Sequence, residues 1–82
     1  MIPGYHGDNQ DPAVFYEKAK EIGFPVLLKA SAGGGGKGMK IAWKEEEVHA
    51  AVASAKREGL ESFGSDKLLM EVYRLFFFSL YS

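Results

Sequence analysis

The spacing of apolar and polar positions changes several times along this 82-residue chain, and each change predicts an element. Residues 1–11 carry Pro3, Gly4, Gly7, Asp8, Asn9 and Asp11, all turn formers, and read as a loop. A helix follows. Asp11 can cap it, Pro12 fits its first position, and Phe15, Ala19 and Ile22 recur at i, i+4 and i+7 on one face. Gly23 is a natural stop. Residues 25–30, PVLLKA, form a short, nearly continuous apolar run that predicts a strand buried on both faces. After a loop with five glycines, residues 39–43 read as a second strand, antiparallel to the first. A second helix is expected to begin near Glu45. Glu45, Glu46 and Glu47 suit the positive end of its dipole, Lys56 and Arg57 the negative end, and Gly59 its stop. Val48, Val52 and Ala55 make its apolar stripe, while Lys44 is a poor cap. Residues 60–66 then read as a loop and residues 67–73 as a third strand. The expected fold is α+β: a small layer of about three strands with two helices on one face.

Composition narrows the function classes. A chain this short holds one small domain with a modest core. With 46% hydrophobic and 26% charged residues it resembles neither a disordered chain nor a membrane protein. The absence of cysteine excludes a disulfide scaffold and a thiolate metal site. His6 and His49 stand too far apart in sequence to show a metal-ligand spacing, so no metal site is expected. A net charge of −1 gives no sign of a nucleic-acid partner. Residues 1–7 lack the cationic and apolar regions of a signal peptide, so no targeting segment is expected in this chain. The apolar tail, residues 75–82, falls far short of the ~20 residues of a membrane helix, so no membrane partner is expected.

The run from Lys29 to Met39, KASAGGGGKGM, carries the chemistry. Four consecutive glycines lose much backbone entropy on ordering, and a two-residue turn would join two strands more simply. Such a run suits a loop that moves, or one whose bare N–H groups approach phosphate oxygens. Lys29 ends a strand and Lys37 lies within the run. Between Lys29 and Lys44 there are four lysines and no carboxylate. That local excess of positive charge suits a polyphosphate. A flexible connector is the plain alternative. The Walker A pattern fails, because Lys37 is followed by Gly38 rather than a hydroxyl residue. A Gly-x-Gly-x-x-Gly match at Gly33, Gly35 and Gly38 would need a helix to open there, whereas residues 39–43 read as a strand. A mobile hairpin folded over a nucleotide fits the pattern.

KASAGGGGKGM resembles the glycine-rich loop of ATP-grasp enzymes, in particular their biotin carboxylase branch. PGYHG, GFPVLLKA, MKIAW and SFGSDKLLME resemble successive pieces of the same family, so the likeness runs over nearly the whole of residues 2–73. It is strongest to the biotin-containing subunits of methylcrotonoyl-CoA and propionyl-CoA carboxylases. The resemblance implies that residues 1–74 are the small lid, or B, subdomain, which closes over ATP held by a larger central domain. The full enzyme would carboxylate biotin from bicarbonate at the expense of ATP with magnesium, and this segment would bind no biotin itself. Carried over by residue, Lys29 contacts the ATP phosphates. Gly33, Gly34, Gly35, Gly36, Lys37 and Gly38 cover them, Met39 packs near adenine, and Glu71 lies where the strand backbone meets the adenine edge.

Taken by themselves, several of these residues have plainer readings. Met39 fits a core position, Glu71 a solvated strand-end carboxylate, and Ser31 either binds a phosphate or caps the strand end. Tyr5 and Trp43 read as packing residues. The likeness breaks after Glu71, where Val72-Tyr73-Arg74 replaces the Lys-Tyr-Leu or Lys-Phe of the family, and residues 75–82 are a divergent apolar tail. The chain thus reads as one lid from a longer enzyme, inactive alone and with no catalytic residue of its own. Its partners would be ATP and the remainder of the carboxylase, in the mitochondrial matrix of a eukaryote or the cytoplasm of a bacterium. The rival reading is a non-catalytic interaction module, or a fragment without function, associating through its sheet edge and tail.

Overall fold

The structure is a computed structural model that describes residues 4–33 and 37–73. Its elements follow in the order β1 (Gly4–Tyr5), α1 (Pro12–Ile22), β2 (Val26–Ala30), β3 (Met39–Ala42), α2 (Val48–Phe63) and β4 (Leu68–Val72). The four strands form one sheet in the order β1-β4-β2-β3, with every neighbouring pair antiparallel. β2 is therefore central, bonded to β3 on one side and β4 on the other.

Local chemistry sets α1 as expected. The Asp11 carboxylate accepts the Ala13 N–H at 2.9 Å, Pro12 opens the helix, and the Gly23 N–H closes it on the Ala19 carbonyl. The start of α2 is different. A single 3-10 turn, Glu45–Glu47, precedes it, and Glu47 reaches back to accept the Trp43 N–H at 2.7 Å. That bond ties the turn back to the end of β3, while no side chain caps the first-turn N–H groups of either helical segment. Tyr16 of α1 stacks on His49 of α2 and donates to Glu45 at 3.2 Å, which joins the two helices at their outer surface. The same bond to a carboxylate raises the Tyr16 pKa above its ordinary value.

Both helices cover one face of the sheet. Phe15 and Ala19 from α1 and Val48, Ala51, Val52 and Ala55 from α2 meet Val26, Leu28, Ala30, Ala42, Leu68 and Met70 in one core. Tyr5 joins its margin, edge-on to Phe15 at 5.5 Å, as expected of a packing residue. Burial alternates along β2 and β4: their odd positions in the element are buried and their even positions half-buried. The expectation that β2 is buried on both faces therefore does not hold. Among the described residues no helix covers the second face, so Leu27 and Lys29 remain partly open.

Three further expectations need correction. Residues 4–5 are a strand rather than loop. The partner of that strand is β4, more than sixty positions along the chain, so no local pattern announces it. Gln10 secures the same segment: its side-chain oxygen accepts the Leu68 N–H at 2.7 Å, and its amide nitrogen donates to the Leu68 and Gly7 carbonyls. Second, α2 does not stop at Gly59 but runs on to Phe63, and Gly64 at φ +72° takes the left-handed cap. Lys56 and Arg57 thus lie inside the helix rather than in its last turn, and residues 60–63 are helical rather than loop. Third, Trp43 is 58% exposed, touching Tyr73 edge-on at 6.0 Å, and is not a core residue.

Gly59 is inside the helix because the neighbouring chain passes too close for a side chain. A Cβ there would lie 2.7 Å from the Ser65 carbonyl oxygen and 3.2 Å from the Ala30 Cβ. An unconstrained helix would gain about 1 kcal/mol from Gly→Ala, but forced overpacking costs about 1–3 kcal/mol. Gly59→Ala should therefore lower the unfolding free energy by about 1 kcal/mol in urea denaturation. An unchanged or raised midpoint would show that Ser65 does not crowd this position.

Candidate functional site

Strand register decides which residues share the open face of the sheet. Lys29 lies opposite Met39 on β3 and Leu69 on β4, and Leu27 lies opposite Ile41 and Glu71. Directly opposed residues point the same way, so Lys29, Met39 and Glu71 occupy one face, away from the helices. Three residues selected from different parts of the sequence thus come together. The Lys29 ammonium is 3.8 Å from the Glu71 carboxylate, across the diagonal of the β2–β4 pair, with both side chains partly exposed. Between them the face carries Leu27, Ile41 and Leu69, all half-buried. A charged end beside an apolar floor suits a ligand that is itself part anionic and part flat and apolar.

The glycine loop leaves the sheet from the Lys29 end of β2. Its base is tied at several points. Ala30 donates its N–H to Gly38 at 2.8 Å, Gly33 donates to Ala30 at 3.0 Å, and Ser31 donates its N–H to the Lys67 carbonyl at 2.8 Å. Ser31 and Lys37 are exposed, Gly33 half-buried, and Gly34, Gly35 and Gly36 lie outside the described residues. Two glycines have a steric reason. A Cβ at Gly33 would sit 2.9 Å from the Phe63 ring, and one at Gly38 only 2.7 Å from the Ala30 Cβ, with φ at Gly38 already +73°. The loop base is therefore bare backbone pressed against α2 and β2, the kind of cradle that any side chain would fill.

The four lysines from Lys29 to Lys44 do not form one patch. Lys29 faces outward and Lys37 is exposed in the loop. Lys40, opposite Leu28, belongs to the helix side of the sheet and pairs with Glu58 on α2. Glu58 also accepts the Gly38 N–H at 3.0 Å. The bonds from Lys40 and Gly38 hold its carboxyl below the ordinary carboxylate range. Sequence reasoning missed Glu58 because its partners are 18 and 20 positions away and nothing in the run around it marks a contact with the loop.

The break in the family pattern after Glu71 also gains a location. Val72 lies opposite Val26 on the helix side and is only 7% exposed, so an apolar residue there packs into the core margin while Glu71 keeps the outer face. The open face and the loop base fit a triphosphate, which Lys29 and Lys37 would meet with charge and the loop with backbone N–H groups. Among the described residues there is no group of three or more histidine, aspartate or glutamate side chains that could hold a metal.

Comparison with known proteins gives the family and the fold. The family model for the carbamoyl-phosphate synthase L chain, ATP-binding domain, matches residues 1–75, and the chain belongs to that family. The mitochondrial methylcrotonoyl-CoA carboxylase subunit alpha of Dictyostelium discoideum is 51% identical over 72 residues, which are 88% of this chain and 10% of that protein. The biotin carboxylase of Campylobacter jejuni, solved as a complex with β,γ-ATP, superposes with a TM-score of 0.84 at 42% identity, over 89% of this chain and 16% of that one. The biotin carboxylase domain of Hydrogenobacter thermophilus 2-oxoglutarate carboxylase, solved with MgADP, ADP and bicarbonate, gives 0.83 at 46% identity, again over 89% and 16%. The expected α+β class holds, with four strands in place of three, and the fold is that of the ATP-grasp lid in biotin carboxylases. The chain spans about a tenth of the curated relative's length.

An exposed ion pair such as Lys29–Glu71 contributes under ~1 kcal/mol to stability. Lys29→Met should therefore leave the urea midpoint of this chain nearly unchanged. A loss above ~1 kcal/mol would give Lys29 a structural role instead.

Proposed function

We propose that this chain acts as the ATP-covering lid of a biotin-dependent acyl-CoA carboxylase, in which ATP with magnesium drives the carboxylation of biotin. The observation that carries the reading is the position of Lys29. It stands at the foot of the glycine hairpin, on the open face that also holds Met39 and Glu71. The lid's task is electrostatic. Lys29 and Lys37 neutralise phosphate charge, and N–H groups of the loop from Gly33 to Lys37 follow the phosphate oxygens, with Gly38 closing the loop behind them. Ser31, exposed at the loop entrance, adds a hydroxyl. Met39 and the half-buried Leu27, Ile41 and Leu69 offer the apolar floor on which adenine packs, with the β4 backbone at Glu71 along its edge.

Closing this face over the nucleotide would exclude water from the phosphates and strengthen each of these contacts. The Lys29–Glu71 pair is long and solvated, so a triphosphate can displace the carboxylate as partner of the ammonium. Magnesium ligands and the bicarbonate and biotin pockets would come from the remainder of the carboxylase, its main partner. Residues 1–74 would be the lid, and this lid alone would contact ATP without turning it over. The cellular site would be the mitochondrial matrix for a eukaryotic protein and the cytoplasm for a bacterial one; the support is that relatives carry the word mitochondrial in their names.

Titration of the 15N-labelled chain with MgATP tests the reading. We expect binding in the millimolar range, about −4 kcal/mol, with amide shifts at Gly33, Lys37 and Met39 and on Leu27 and Ile41 of the outer face. Lys29→Met should weaken binding about tenfold, the worth of one charge-assisted hydrogen bond. Shifts confined to the helix face, or none at ~10 mM MgATP, would exclude this assignment.

A further inference from the structure

We infer that Glu58 is a positioning residue of the glycine loop: from α2 it clamps the loop's exit leg by accepting the Gly38 N–H and pairing with Lys40. The inference rests on the reading of the loop as a phosphate cover. Gly38 is the point at which the loop rejoins β3. It is buried, it has φ +73°, and a Cβ would collide with Ala30. Its carbonyl accepts from Ala30 at 2.8 Å, and its N–H donates to the Glu58 carboxylate at 3.0 Å. The second Glu58 oxygen takes the Lys40 ammonium, one residue into the strand beyond Met39. One carboxylate thus bridges the two positions that flank Met39.

Two consequences follow for the loop. The Gly38 N–H is committed to Glu58, so phosphate oxygens must be met by N–H groups before it, and Gly38 acts as the loop's fixed anchor rather than as a donor. Lys40 is neutralised on the helix side, so the positive charge that remains for a ligand is concentrated on the loop and the outer face. The contact also sets the direction in which the loop leaves the sheet, because Gly38 cannot turn without breaking its bond to α2. The charged groups around the Glu58 carboxylate are Lys40 from β3 and Arg57 from its own helix, both favouring its ionised form, together with the Gly38 N–H.

The experiment uses the 82-residue chain and its variants Glu58→Ala and Glu58→Gln. Glutamine keeps an acceptor for Gly38 but loses the ion pair, whereas alanine loses both. Hydrogen exchange at the Gly38 amide should rise about tenfold in Glu58→Ala and stay near the unsubstituted rate in Glu58→Gln, with the Leu28 and Met70 amides unchanged in both. The Gly38 amide shift should titrate with pH in the unsubstituted chain, with a midpoint below that of an ordinary glutamate, and be flat over that range in Glu58→Gln. MgATP binding should weaken at least threefold in Glu58→Ala and recover in Glu58→Gln. Equal Gly38 exchange in all three proteins would overturn the clamp. Faster Gly38 exchange with unaltered MgATP affinity would overturn its role in positioning. Absence of MgATP shifts in the unsubstituted chain would overturn the phosphate-cover reading and the nucleotide role of Glu58 with it, while Gly38 exchange would still decide whether the clamp exists.

Discussion

Burial of every second residue of β2 is the constraint on which the rest of this structure depends. Val26, Leu28 and Ala30 are locked under the two helices, and full burial of a Val or Leu side chain is worth about 1.5–3 kcal/mol. Because strand side chains alternate strictly, that burial forces Leu27 and Lys29 onto the opposite face. A slip of one residue would put the Lys29 ammonium into an apolar core and is excluded by the cost of an unpaired buried charge. β3 and β4 inherit the same register by hydrogen bonding. Met39 and Glu71 consequently join Lys29 on the open side, although 42 positions separate Lys29 from Glu71; burial on the helix side fixes which residues face outward.

A loop of glycines needs fixed ends if it is to be aimed. Here the ends are held firmly. Ser31 bonds to the lead-in of β4, Ala30 and Gly38 bond to one another, and Glu58 draws Gly38 toward α2. Phe63 presses on Gly33 from the end of the same helix. Both legs of the hairpin therefore lean on α2. Because α2 continues past Gly59, its last turn carries the aromatic ring that lies against the loop entrance.

Charge is arranged to the same end. Read along the chain, the lysines from Lys29 to Lys44 form one cationic block. In space the sheet divides them, sending Lys40 to a carboxylate on the helix side and leaving Lys29 on the outer face beside a weakly held Glu71. A polyphosphate would meet fewer charges than the block promises, but each would be better directed.

Much of this was legible in the residues themselves. The Asp11–Pro12 start and Gly23 stop of α1, the antiparallel β2–β3 pair and the glycine loop between them depend on neighbours in the chain, and local chemistry determined them. The family likeness of the loop likewise lies in consecutive residues. What tertiary structure alone decided are the matters set by distant neighbours: the pairing of β1 with β4, the passage of α2 through Gly59, the one-sided burial of β2, the exposure of Trp43 and the clamp from Glu58 to Gly38. A glycine inside a helix looks like a stop until the carbonyl that crowds it is in place. A glutamate on a helix surface looks solvated until the strand that carries its lysine folds against it.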